Sequence, residues 1–238
     1  MLLSAHQCAY NPWLGYLHKI ISSERFVVMD DVQFEKNSFI NRNKIVLNGT
    51  EVMLTIPVAT KDYTQKSLRE MRTADNFWQK KHLRSIEQAY KKAPLFERLF
   101  THLMPIYEQK SDFLIDYTDA YLRFLVSYLE IRTPILYASS LDIKAKKLDY
   151  VIEMCQKTGA SSFLFGALGR EYADEKVLKD AGITPIFQNY NHPLYSQTSA
   201  EFHPYMGIID LLFNEHDPQE VIMRGNTITK EFTCQKES

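Results

Sequence analysis

The chain has 238 residues, 45% of them hydrophobic and 24% charged, enough for one sizeable core or for a core with a helical subdomain. Lysine and arginine number 28 against 29 aspartate and glutamate, a net charge of −1, so no global basic field exists to hold nucleic acid by phosphate neutralisation. The sequence carries no secretory leader, no bilayer-length apolar run and no paired spacing among Cys8, Cys155 and Cys234, which together point to a reduced, cytoplasmic protein without membrane insertion.

Leu2 to His6 reads as a short buried strand, and Leu14 to Ser23 as a helix with Leu14, Leu17, Ile20 and Ile21 on one face. Phe26 to Met29 is a second apolar strand ending at Asp30 and Asp31. Lys44–Leu47 and Glu51–Ile56 flank Asn48-Gly49, a hairpin signature because both turn residues accept positive φ. Helical spacing follows over Asn76–Lys91, Leu95–Gln109 and Asp112–Glu130, with Pro94 expected in the first turn of the second helix and Pro105 expected to kink or end it. The stretch 76–130 thus reads as a helical insertion or lid. Strand and helix then alternate: Pro134–Ala138, Lys146–Lys157, Ser162–Phe165, Glu171–Asp180 and Thr184–Gln188, with Gly159 and Gly182 just past helix ends. Met206–Asn214 is a last short helix, and the tail 227–238 is expected to be mobile. The expected architecture is one α/β domain over residues 1–226. Its sheet is mostly parallel and Rossmann-like, with a hairpin and a helical insertion.

In open parallel sheets ligands lie beyond the carboxyl ends of the strands, and four polar segments follow predicted strands here. The first runs from Gln7 through Trp13 to Tyr16 into a helix, whose amino end suits an anion; the same aromatics would serve equally as core. The second joins Asp30, Asp31 and Gln33 to Arg42 and Asn43. Two carboxylates could orient a hydroxyl or a proton, and Arg42 could grip a phosphate, or the pair could be an internal ion pair. The third, Gly166 to Tyr172, contains Gly166, Gly169 and Arg170, which suit a close approach to phosphate or a plain tight turn. The fourth runs from Gln188 through His192 and Tyr195 to Gln197. An imidazole among polar neighbours suits proton transfer near neutrality, or bracing of a loop. His82 lies on a predicted helix and would face either the cleft or solvent. No GxSxG, GxxxxGK[ST], HExxH or full GxGxxG pattern is present, and no histidines pair at metal-ligand spacing, so a serine hydrolase, P-loop kinase, zinc protease or nicotinamide dehydrogenase is not supported.

Taken in order, these motifs resemble the WbqC-like protein family over nearly the whole chain to Asn214. The series is Asn11-Pro12-Trp13-Leu14-Gly15-Tyr16, Asp30-Asp31-Val32-Gln33 with Asn41-Arg42-Asn43, Trp78 to His82 with Tyr90 and Ala93-Pro94, Gly166 to Tyr172, His192 to Gln197, and Ile208 to Asn214. The family's first loop usually reads Gln-Pro where this chain has Gln7-Cys8, and His6 stands where the family tolerates other residues. The resemblance implies a role in bacterial O-antigen or related surface-glycan assembly. The leading expectation is acyl or aminoacyl (glycyl) transfer to an amino-sugar nucleotide, with acyl-CoA, ATP or aminoacyl-tRNA as candidate donors. His192 would then be the base, with Asp30 or Asp31 orienting the amine. Two alternatives stay open: a non-catalytic glycan-pathway binding protein that meets other polysaccharide-pathway enzymes, and a nucleotide-dependent ligase or nucleotidyltransferase, to whose adenylate-binding folds the segment His6–Tyr16 is similar at the level of fold alone.

Overall fold

The computed structural model describes residues 1–225; the expectation for the tail 227–238 lies outside them. Five strands form one fully parallel sheet: β1 (Leu2–His6), β2 (Arg25–Val28), β5 (Ile135–Tyr137), β6 (Ser162–Phe165) and β7 (Thr184–Phe187), in the order β5-β2-β1-β6-β7. A separate antiparallel hairpin, β3 (Arg42–Leu47) and β4 (Thr50–Thr55), turns through Asn48 and Gly49, both at positive φ. The fold is α/β, as the strand–helix alternation predicts.

Helix α1 (Leu14–Ile21) connects β1 to β2; α2 (Trp78–Tyr90), α3 (Phe96–Glu108) and α4 (Leu114–Tyr128) lie between the hairpin and β5. Helix α5 (Leu148–Thr158) ends at Gly159 in the left-handed region, and α6 (Glu175–Asp180) follows β6. Period-2 alternation divides the core across the sheet. Phe26 and Val28 face α1 and the hairpin, α2–α4 side, whereas Val27, with Leu3 and Ala5 of β1, faces α5 and α6 through Val151, Met154 and Leu178.

Several boundaries differ from expectation for local reasons. The segment Glu171–Asp180 is helical only from Glu175, because the Asp174 carboxylate accepts the Lys176 and Val177 amides and caps the helix there; residues 167–171 form a separate 3₁₀ turn. Pro94 precedes the N-cap Leu95 of α3 rather than occupying its first turn. Pro105 does not end α3, which runs on to Glu108 and closes through the Pro105 carbonyl and the Gln109 amide. The final helix α7 starts at Ile208 rather than Met206, and a further helix, α8 (Pro218–Arg224), follows it. Its sequence signal, Asp217-Pro218, is an N-cap with proline at the first helical position. Among the described residues no helix is long and apolar enough to cross a membrane.

Candidate functional site

Because all five strands run the same way, the connections after β1, β2, β6 and β7 leave from one carboxyl edge. The sheet order reverses between β1 and β6, so the connections that leave these two strands diverge, one toward β2 and one toward β7. His6 closes β1 at this edge, half-buried, with its ring edge-on to Trp13 (5.3 Å) and Tyr16 (5.2 Å). Burial and the nearby Lys19 push the imidazole down to about 4, so it is neutral at physiological pH. Trp13 remains partly exposed; Tyr16 is buried, and its hydroxyl has no hydrogen-bond partner among the described residues. Gln7 reaches across to the loop after β2, donating to the Gln33 carbonyl at 3.3 Å. Cys8, where the family usually has proline, is fully buried and its thiol is pushed far up by desolvation.

The two neighbouring carboxylates at the end of β2 have different surroundings. Asp30 is buried and accepts from both the Ser139 amide (2.9 Å) and hydroxyl (2.6 Å), with Arg69 at 3.6 Å. It ties the end of β2 to the end of β5. Asp31 is half-buried and accepts one bond, from the Tyr150 hydroxyl at 2.5 Å. Gln33 is exposed.

The hairpin residues act on the chain that passes them. Arg42 donates to the Asn37 carbonyl, and its buried Nε has no hydrogen-bond partner among the described residues. Asn43 donates to the Asn11 carbonyl at 2.7 Å, while the Asn11 side chain accepts the Ile209 amide at 3.2 Å and the Pro12 carbonyl accepts that of Ile208. Asn11, at φ +46°, is therefore clamped between the hairpin and α7. Gly207 is required at this clamp: a Cβ there would lie 2.0 Å from the Asn11 amide nitrogen.

Beyond β6, a Cβ added at Gly166 would meet nothing within 4 Å, Gly169 packs directly on Phe165, Arg170 stacks over the Phe187 ring at 4.3 Å, and Tyr172 is exposed. Gln188, at the end of β7, is buried and donates to the Gly15 carbonyl, with His18 Nδ1 also at 2.8 Å, locking that strand onto α1.

The fourth segment turns away into contacts of its own. His192 Nε2 accepts the Tyr205 amide at 3.2 Å, and its ring sits among Tyr195, Phe202 and Tyr205. Tyr195 and Gln197 both donate to the buried Asp210 carboxylate, joined there by Tyr90. His192 has no contact with Asp30 or Asp31 among the described residues. His82 is buried between α2 and α3, paired with the Tyr10 hydroxyl at 2.9 Å and packed on Trp78 and Tyr107; desolvation pushes it down to about 4.

Gln7, Asp31 and Gly166 thus directly follow strands at the carboxyl edge, with Trp13 and Arg170 further along the same connections, while Tyr195, Gln197 and His82 serve interior networks. Two shallow clefts of about 380 and 400 Å³ lie elsewhere, around Glu130 and Gln219, and none of these residues lines them. Among the described residues no cluster of three or more His, Cys, Asp or Glu could hold a metal ion. Residues that sequence reasoning passed over are Ser139, Tyr150 and Asp210, whose roles are set by distant partners, and Lys19. Lys19 is a buried residue of α1, and its Nζ donates to the Ala5 carbonyl at 2.8 Å.

A family model described as the WbqC-like protein family matches residues 7–221. The chain is also 30% identical over 210 residues to the uncharacterized protein Rv1507c of Mycobacterium tuberculosis, covering 87% of this chain and 91% of that protein.

Proposed function

The chain belongs to the WbqC-like protein family, and we propose on that footing that it is a transferase in bacterial cell-surface polysaccharide assembly, moving an acyl or aminoacyl group onto the amine of an amino-sugar nucleotide. The observation that carries this reading is the reversal of strand order between β1 and β6. In open α/β sheets such a reversal is where a nucleotide-bearing ligand enters, and here Gln7 and Gly166 directly follow the two strands on either side of it, with partly exposed Trp13 at the start of α1. Trp13 offers its ring to a sugar or base, and Asp31 keeps a carboxylate oxygen beyond its bond to Tyr150.

In the reaction the amine nitrogen attacks the acyl carbonyl, the new C–N bond forms, and the thiolate or alkoxide of the donor leaves. The amine proton passes to a base and on to the leaving group. His192 Nε2 already accepts the Tyr205 amide, so Asp31 is the acceptor at the carboxyl edge with an uncommitted lone pair. The single domain over residues 1–226 and the cytoplasmic setting belong to the same reading, since the substrates are soluble nucleotides.

A second reading is favoured by one observation: His192 Nε2 and both Asp30 oxygens are already hydrogen-bonded. A protein that binds a glycan intermediate and presents it to another pathway enzyme needs no free base. Thermal stabilisation by dideoxy-amino-sugar nucleotides, followed by mass analysis after adding acyl-CoA, aminoacyl-tRNA, or ATP with a free acid, separates these. A ligand at 100 times its Kd adds about 2.7 kcal/mol, readily seen as a melting shift. Stabilisation with acylated product supports the transferase, and stabilisation without product supports the binding protein. Pyrophosphate release with ATP supports a ligase. No stabilisation by any sugar nucleotide rejects the proposal.

A further inference from the structure

The central strand β1 is paired unequally on its two sides. Toward β2 the pairing continues to His6↔Val28, and the Met29 amide still reaches the His6 carbonyl; toward β6 it stops at Ser4↔Leu164. The Ser162 amide donates to the Met1 carbonyl, so alternation turns the Leu3 and Ala5 carbonyls toward β6 as well. The rung that would satisfy Ala5 requires an amide at Gly166, where the chain leaves the strand for its 3₁₀ turn. Lys19 fills that place. Its backbone lies beside Ser4, whose hydroxyl donates to the Lys19 carbonyl. The side chain runs toward the amino end of α1, as helical side chains do, bringing Nζ up to the Ala5 carbonyl at 2.8 Å. The amine thus stands where β1 and β6 part, one residue below His6.

We propose that this fork is a binding site for a phosphate group, with the Lys19 ammonium as its cationic contact. An ammonium has three N–H donors, and Lys19 uses one, on a neutral carbonyl; no carboxylate lies within ion-pair reach among the described residues. A cation that is 5% exposed without a counter-charge is costly, and burial accordingly pulls its pKa down to about 7. A bound anion supplies the missing charge and takes the two remaining donors. At Gly166, whose amide is the rung that the Ala5 carbonyl lacks, an added Cβ would meet nothing within 4 Å. Among the described residues His6 of β1 is the titratable group coupled to the amine; it is neutral above about pH 4 and does not compete for the anion's charge. The identification of the phosphate as part of a nucleotide rests on the transferase reading; the anion site itself does not.

The test is calorimetric titration of the intact protein with sulfate, a tetrahedral anion of constant charge from pH 6 to 9, and with UDP. Lys19→Met keeps the length and apolar stem of the side chain and removes the charge; it should weaken both anions at least tenfold. In the unmodified protein sulfate affinity should fall toward tenfold per pH unit above about pH 7, as the ammonium is lost, and this profile needs no variant to fold. Weakening of both anions identifies a nucleotide phosphate as the ligand, and weakening of sulfate alone identifies a free anion. Sulfate affinity that is flat from pH 6 to 9, or equal in Lys19→Met, overturns the proposal. Product formation plays no part in these readouts, so failure of the transferase reading leaves them independent.

Discussion

The Nε2 atom of His192 accepts the backbone N–H of Tyr205 at 3.2 Å, and Tyr205 holds a left-handed backbone at φ +61°. A bulky residue in that region is strained, and the imidazole lone pair helps to hold it there. His192→Ala should therefore cost about 0.5–1.5 kcal/mol, the usual net value of one such bond. His192→Gln, which can still present an acceptor, should recover part of it. Urea denaturation of both variants checks the stability, and product formation separates bracing from proton transfer: a base would be lost equally in both.

The adjacent carboxylates of β2 should respond differently. Asp30→Ala removes the acceptor of the Ser139 amide and hydroxyl and the partner of Arg69, loosening β2 from β5. A loss of about 1–3 kcal/mol is expected. Asp31→Asn keeps an acceptor for Tyr150 and should leave the melting temperature nearly unchanged while lowering acyl transfer at least tenfold. Melting curves beside turnover measurements decide between these outcomes.

Gly207→Ala would drive a methyl group to 2.0 Å from Asn11 Nδ2. Overpacking of this kind costs about 1–3 kcal/mol. Glycine tolerates the φ of +46° at position 11, so adding Asn11→Gly should relieve the clash, and the double variant should lose less than the sum of the two single ones. A double-mutant cycle in urea measures this.

Lys19 makes stability depend on pH in a direction opposite to that of a salt-bridged lysine. Its folded-state pKa is about 7 and its ordinary value 10.5, so between these limits the unfolded chain binds more protons than the folded one. Stability attributable to this group therefore rises with pH from about 7 toward 10, by at most about 1.4 kcal/mol per unit, and the burial penalty is fully present below pH 7. Comparing urea midpoints at pH 7, 8 and 9 with those of Lys19→Met should isolate that rise; parallel profiles would refute it.

The carboxyl-edge location was legible because a run of short apolar strands alternating with helices dictates a parallel sheet, and the polar residues directly after the strands had nowhere else to go. Asp31 and Gly166 could be placed at that edge from this logic alone. The buried network around Asp210 could not, because Tyr90, Tyr195 and Gln197 converge on it from segments up to 120 residues away. A hydrogen bond over such a separation leaves no periodic trace in either segment. His192 shows the same limit: polar neighbours in sequence gave no sign that Tyr205 would take its lone pair.

The sequence by itself determined the α/β class, the hairpin at Asn48-Gly49, the glycine helix stops and the family, because each rests on local backbone preference or on an ordered set of motifs. Only the tertiary structure decided the strand order β5-β2-β1-β6-β7, the early parting of β1 from β6, and the burial of Lys19 at that fork. In sequence Lys19 is one more polar residue beside the apolar stripe of a helix. Its environment follows from which strands lie beneath that helix and which amide leaves the ladder, and both are set by packing across the whole chain.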